Sequence, residues 1–377
     1  MKTFLQPLQN LAEMEEIQKQ AKKNCGILEI SGCMESQKAH LMYGLSGLFP
    51  CHLVIAADEK SAKELYEDYR FYDKRVYYYP AKDLLFFQAD IHGNLLIRQR
   101  MQVIRALLER EDEITVVTSI DGCMDYLAPL EKIEKQLIHF RNDSTLDMDK
   151  LTAALVHMGY ERVGQVEMPG QFSIRGGIID IYSLTEENPW RIELWGDEID
   201  SIRSFDAQSQ RSLENLDDVT IYPAAEQPME KNGVSFLDYF KETETLFFLD
   251  ELNHLEENAK AVQEEFQQSC ENRKEKGEIS LSGDWMCTWE ELCHKINDRN
   301  CVAMSLLDPK KSNWKISGQF NITVKSMSSY QSSFELLVKD LKQYKKEGYQ
   351  IVLLSGSRTR AERLAKDLQE EGLNAFY

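Results

Sequence analysis

The 377-residue sequence predicts an α/β protein, a parallel sheet covered by helices and interrupted by a small α+β domain. Three observations carry this. Through residue 125, short apolar runs rich in β-branched or aromatic residues alternate with helical patterns. The rhythm then changes to one strand, one helix and a series of strands up to Tyr222. From Pro223 the alternation returns. One α/β domain split by an insert accounts for this better than three independent domains. It gives residues 1–125 as the first part, 126–222 as the insert and 223–377 as the second part.

In the first part, Gly26–Ser31, Cys51–Ala57, Arg75–Tyr79 and Glu113–Ser119 are the expected strands. Ser36–Gly47, Ser61–Phe71 and Leu95–Leu108 carry the helical spacing between them. In the insert, Lys135–Arg141 reads as a strand and Asp147–Met158 as a helix. Further on, Leu246–Leu249 is apolar and ends in Asp250-Glu251. Phe334–Lys346 is an amphipathic helix, Tyr349–Ser355 a strand and Arg358–Gly372 another helix. Glu271–Ser282, dense in Lys, Glu and Gly, is the least ordered-looking stretch.

The net charge of −19 disfavours the whole surface as a non-specific DNA binder, because phosphate contacts need Lys and Arg. The eight cysteines include no Cys-x-x-Cys pair. Cys287, Cys293 and His294 come nearest to a cluster, and their spacing matches no structural zinc pattern. These are expected to be reduced thiols of a cytoplasmic protein that folds without metal. The first twenty residues lack a long apolar core, and no run approaches a membrane span, so no membrane partner is expected.

The densest stretch is Gly170–Arg211. Read as a strand, Arg191-Ile-Glu-Leu-Trp195 puts Ile192 and Leu194 on one face and Arg191, Glu193 and Trp195 on the other. The aliphatic pair must face the core, so an arginine and a tryptophan face solvent. Those residue types dominate binding hot spots. The competing reading is a tryptophan half covered by a neighbouring loop. Between Leu151 and Thr220 the basic residues are five arginines, with no lysine, against thirteen acids. Arginine suits bidentate pairing with carboxylates at interfaces. Some of the five are expected to pair with local acids instead.

A strand–loop–helix context surrounds Gly32-Cys33-Met34-Glu35-Ser36-Gln37-Lys38-Ala39. Against the phosphate-loop template Gly-x-x-x-x-Gly-Lys-Ser/Thr, Gly32 and Lys38 fit. Gln37 replaces the second glycine, Ala39 removes the Mg²⁺-binding hydroxyl, and Glu35 adds a negative charge. Asp250-Glu251 follows its strand as a metal-binding acidic pair would, but continues as Leu252-Asn253. Both features read as degenerate, and no catalytic residue is expected.

The pattern Gly-x-Phe-x-x-Arg-Gly-Gly-Ile-Ile-Asp-Ile, then Arg-Ile-Glu-Leu-Trp-Gly-Asp-Glu, then Ser-Gln-Arg-Ser resembles a module shared by two bacterial repair families. These are the excision-repair helicase subunit UvrB and the transcription-repair coupling factors. In both, the module docks the ATPase UvrA. The resemblance implies a degenerate helicase-type (RecA-like) domain split around a UvrA-binding insert. It also implies that Arg175, Arg191 and Trp195 serve as partner-binding residues, phenylalanine being usual at the last position. The Gly176-Gly177 step is expected to form a bulge that re-aims Arg175. UvrB carries a long DNA-clamping hairpin after its third strand. Here Tyr79-Pro80 reaches Gln99-Arg100 through AKDLLFFQADIHGNLLIR, too short for one, which selects the coupling factors. The implied function is a non-catalytic module that recruits UvrA for transcription-coupled nucleotide excision repair. ATP, Mg²⁺, DNA and RNA polymerase would belong to a motor and a polymerase-binding module not seen in this sequence. The alternatives are a UvrB-like ATP-dependent helicase subunit and a direct DNA-binding fragment.

Overall fold

A computed structural model describes residues 2–23, 26–82, 93–111, 113–226, 233–276, 286–307, 314–325, 327, 330 and 333–377. Seven parallel strands form the larger sheet. Across it they run Ile316–Asn321, Gly26–Ser31, Asn300–Ser305, Thr245–Asp250, Cys51–Ala56, Ile114–Ser119 and Val76–Tyr79. Gly26–Ser31, Thr245–Asp250 and Ile114–Ser119 are buried at every position, which is why they read as mainly apolar or β-branched runs, with Glu29 and Asp250 as buried charged exceptions. The edge strand Ile316–Asn321 instead alternates half-buried and exposed residues.

Helices Glu35–Ser46, Glu59–Tyr69, Gly93–Leu108, Leu252–Glu275 and Trp289–Asn297 connect these strands. Their starts are chemically marked. The Asp58 side chain accepts from Ser61 N (2.8 Å), and Thr288 with Glu291 forms a capping box. The sheet takes strands from both sides of the insert, so neither flank could complete it alone. The expected α/β sheet with a separate small mixed sheet is what the chain forms.

In the insert, Glu161–Arg162, Gln171–Arg175, Ile178–Ile181, Trp190–Trp195, Glu198–Phe205 and Ser212–Leu216 lie side by side. All neighbours are antiparallel except the first two. Helix Met148–His157, capped by Asp147, lays Leu151 and Leu155 on the apolar face of this sheet against Phe172, Ile179 and Ile192. Asp218–Ile221 pairs with Ile138–Arg141. That strand is shorter than expected because Leu130–Glu134 is a helix and the chain turns before Ile138.

The insert's two connections meet at Arg100, a fully buried residue of helix Gly93–Leu108. Its guanidinium donates to Asp125 Oδ2 (3.1 Å) at the entry, Glu226 Oε1 (2.5 Å) at the exit and the Pro80 carbonyl (2.9 Å). It also stacks on the Tyr79 ring, 4.2 Å from its centre.

The chain divides into two compact units, Met1–Thr323 and Val324–Tyr377. In the second, helices Phe334–Lys346 and Arg358–Glu370 contribute Val338, Leu341 and Leu368 to a small core. The strand expected at Tyr349–Ser355 is not formed. Ile351–Leu354 are all partly exposed and pair with no strand among the described residues. An apolar run supplies no partner for its own backbone groups, so side-chain pattern alone cannot make a strand. The polar stretch from Glu271 is helical to Glu275, and 277–285 fall outside the described residues. Most of the short connection that argues against a UvrB hairpin, residues 83–92, falls outside them too.

Candidate functional site

The candidate phosphate loop is a different object in space. Gly32 occupies the turn with φ +80°, and a Cβ there would sit 2.0 Å from the Ile322 carbonyl oxygen. Packing against the neighbouring edge strand is enough to require glycine. The helix already starts at Glu35, so Gln37, Lys38 and Ala39 lie inside it rather than in a loop. The backbone N–H groups of Gln37 and Lys38 are spent on the Met34 carbonyl, and that of Cys33 on the Ser305 carbonyl. Burial pushes the Cys33 thiol up to about 12, so it is inert.

Lys38 is wholly buried. Its ammonium donates to Asp250 Oδ1 (2.6 Å), Glu251 Oε1 (2.8 Å) and Glu35 Oε1 (3.1 Å). Burial works against this charge, yet Asp250 and Glu251 outweigh it and hold the ammonium above its ordinary range. Glu251 takes a left-handed conformation (φ 53°), and its carboxylate also accepts from Leu306 N (2.8 Å). Lys38 and the acidic pair, read in the sequence as two separate degenerate motifs, are joined directly in the structure. A cleft of about 480 Å³ adjoins them; Glu35, Asp58, Glu64, Asp250, Glu251 and Glu257 line it together with His254, Ser61, Asn253 and Asn258. Six carboxylates line the cleft, and the nearby cation, Lys38, is already neutralised by three of them, which leaves a field unfavourable to a polyphosphate. Among the described residues no group of three His, Cys, Asp or Glu is arranged to hold a metal ion. Among them, too, no helix is long and apolar enough to cross a membrane.

The insert holds the other candidate residues. Arg175 and Trp195 sit at the tips of adjacent hairpins. Arg175 pairs with Ile178 across Gly176-Gly177, and Trp195 with Glu198 across Gly196-Asp197. In each two-residue turn the first glycine has positive φ (Gly176 +61°, Gly196 +64°), as a type II′ turn demands. The Gly176-Gly177 step is therefore a tight turn, not the expected bulge. The register shift falls one strand away, beside Glu193/Leu194. Leu194 N donates to the Gly177 carbonyl (2.8 Å), and a Cβ on Gly177 would lie 3.1 Å from Leu194 O. The two tips are thereby locked together.

Trp195 is 83% exposed, so no loop covers it. Ile192 is buried, and Leu194 packs partly against the core, as strand alternation requires. Arg191 points to the other face but is not free. Its Nε donates to Asp180 Oδ1 (2.7 Å), and its Nη2 to Asp180 Oδ2 (2.9 Å) and Gln210 Oε1 (3.2 Å). Its guanidinium lies 4.5 Å from the centre of the Phe205 ring. Hydrogen bonds donated to Asp180 hold it charged, above its ordinary range. Arg175 Nη2 reaches the same carboxylate at 2.5 Å, and Arg203 pairs with Glu193. Asp180 is a residue that sequence reading missed. The signal was an acid inside Ile-Ile-Asp-Ile, directly opposite Arg191 in the register.

Residues 138–226, which hold all of these side chains, match the family described as the UvrB interaction domain. Over 92% of its length the chain is 28% identical to the transcription-repair-coupling factor of Bacillus subtilis (strain 168), of which the match covers 35%. It is 35% identical to the transcription-repair-coupling factor of Staphylococcus aureus (strain MRSA252) over 44% of this chain and 14% of that one. The protein of the same description from Staphylococcus haemolyticus (strain JCSC1435) is 35% identical over 43% of this chain and 14% of its own. This chain is related to the N-terminal region of the transcription-repair coupling factors. It spans about a third of the length of the Bacillus subtilis relative. Within that kinship, Arg175, Arg191 and Trp195 lie in the part matched by the interaction-domain family, and Lys38, Asp250 and Glu251 lie outside it.

Proposed function

We propose that this chain is the non-catalytic interaction module of a transcription-repair coupling factor, recruiting UvrA for transcription-coupled nucleotide excision repair. ATP with Mg²⁺, DNA and RNA polymerase would be handled by the remaining two thirds of such a protein. The observation that carries the reading is Trp195, a bare indole on a stiff hairpin beside Arg175, within the matched interaction domain. A large exposed aromatic next to an arginine is the composition of an interface hot spot. The occupied Lys38 and its acidic surroundings support the non-catalytic part.

Titrating purified UvrA with the chain and with Trp195→Ala tests this. Truncation should weaken binding by about 2 kcal/mol, roughly thirtyfold. The melting temperature should stay where it was, because the side chain packs on little. Unchanged affinity would place the docking surface elsewhere.

A further inference from the structure

The cluster around Asp180 has a charge arrangement that a purely structural ion pair would not need. Asp180 is 0% exposed and is reached by two guanidinium groups. Gln210 Nε2 donates to the Val166 carbonyl (3.2 Å), and Ser173 Oγ to the Gly164 carbonyl (2.9 Å). One carboxylate against two arginines leaves one positive charge in excess.

The excess resides on Arg175. Arg191, with its side chain 15% exposed, has committed Nε and Nη2 to Asp180 and Gln210 and its face to Phe205. Arg175 is 46% exposed and gives Asp180 a single N–H, at 2.5 Å. A guanidinium has five N–H donors, so most of its fork faces outward. Nothing lies within 4 Å of where a Cβ would stand on the neighbouring Gly176. Glu193, which shares a face and a row with Arg175, is engaged by Arg203.

Resting on the docking reading above, we propose that Arg175 takes a carboxylate of the partner and that Asp180 is its positioning residue. The buried carboxylate holds one Nη in place, so the outward edge of the fork meets the partner with little side-chain entropy left to lose. The partner surface would then present an aspartate or glutamate beside an apolar recess for Trp195.

The test is a double-mutant cycle on UvrA affinity, with Arg175→Ala, Asp180→Asn and the pair, and with Trp195→Ala as the reference. Asp180→Asn keeps the shape and removes the charge that anchors Arg175. It should weaken binding roughly tenfold in the parent and leave affinity unchanged in the Arg175→Ala background. Arg175→Ala should also flatten the salt dependence of binding. If Asp180→Asn fails to fold, Asp180→Glu, which displaces the carboxylate by one methylene, takes its place in the same cycle. Equal losses from the Asp180 change in both backgrounds, or no loss in either, would overturn the positioning role. Unchanged affinity in both Trp195→Ala and Arg175→Ala would instead overturn the docking reading on which it rests.

Discussion

Arg100→Met is expected to cost the larger unit about 3–5 kcal/mol, the range for removing one partner from a buried ionic network. The wholly buried guanidinium donates to Asp125 Oδ2, Glu226 Oε1 and the Pro80 carbonyl. Methionine fills much of the volume but takes the shared cation from Asp125 and Glu226, leaving Lys82 as the one remaining cation paired with Glu226 among the described residues. Urea unfolding followed by circular dichroism would read the loss as a lower midpoint. The pH dependence gives a second check. Burial opposes the Glu226 charge, yet Arg100 and Lys82 hold it at about 2, below the ordinary 4.5. A lowered carboxylate stabilises the fold above its unfolded value, and that contribution disappears as pH falls from about 4.5 toward 2. Burial pushes Asp125 the other way, up to about 6 against the pull of Arg100, so its penalty exists above that pH and is relieved on acidification. The parent should therefore gain slightly as pH falls from about 6 to 4.5, stay level while the two groups offset each other down to about 3.8, and lose stability below that. The gap between parent and Arg100→Met should shrink across the same acid limb. A gap as wide at pH 3 as at pH 7 would show that charge is not what Arg100 contributes.

The buried strands were legible because sequence and environment agree there. Gly26–Ser31, apart from the buried Glu29, and Ile114–Ser119 are mainly apolar or β-branched, and both lie inside the sheet with two neighbours. Asn300–Ser305 was not legible. Its sequence NCVAMS has one β-branched residue, and it is held as a strand by pairing with Gly26–Ser31 and Thr245–Asp250 on either side. The edge strand Ile316–Asn321 carries Gly, Gln and Asn and was missed for the same reason. Helix Leu252–Glu275 is so rich in Glu, Lys, Asn and Gln that only a thin apolar stripe, including Leu255 and Ala259, marks its inner face. In the insert, strand alternation was enough to expose Trp195. It could not show that Arg191 is consumed, because Asp180 and Gln210 approach it from other segments of the chain. Side-chain type and period were readable, but long-range partnership was not.

Lys38→Met should lower stability by a comparable amount, about 3–5 kcal/mol, and for a related reason. The Lys38 ammonium is the common partner of Asp250 and Glu251, both of which are held at the end of one sheet strand. Without it, a buried aspartate and the left-handed Glu251 face each other with no cation between them. In a working phosphate loop the outcome differs. There the lysine is kept for the nucleotide, its removal abolishes ligand binding, and the empty protein tolerates the loss. The two cases therefore separate on a simple pair of measurements. If the cation is structural, the parent should show no shift in melting temperature with millimolar Mg-ATP, whereas a ligand present at 100 times its Kd would add about 2.7 kcal/mol. Lys38→Met should then melt well below the parent with or without nucleotide. A parent stabilised by Mg-ATP, together with a Lys38→Met variant as stable as the unliganded parent, would mean the site still serves a nucleotide. With the Lys38 charge already shared among Glu35, Asp250 and Glu251, the first outcome is the one expected.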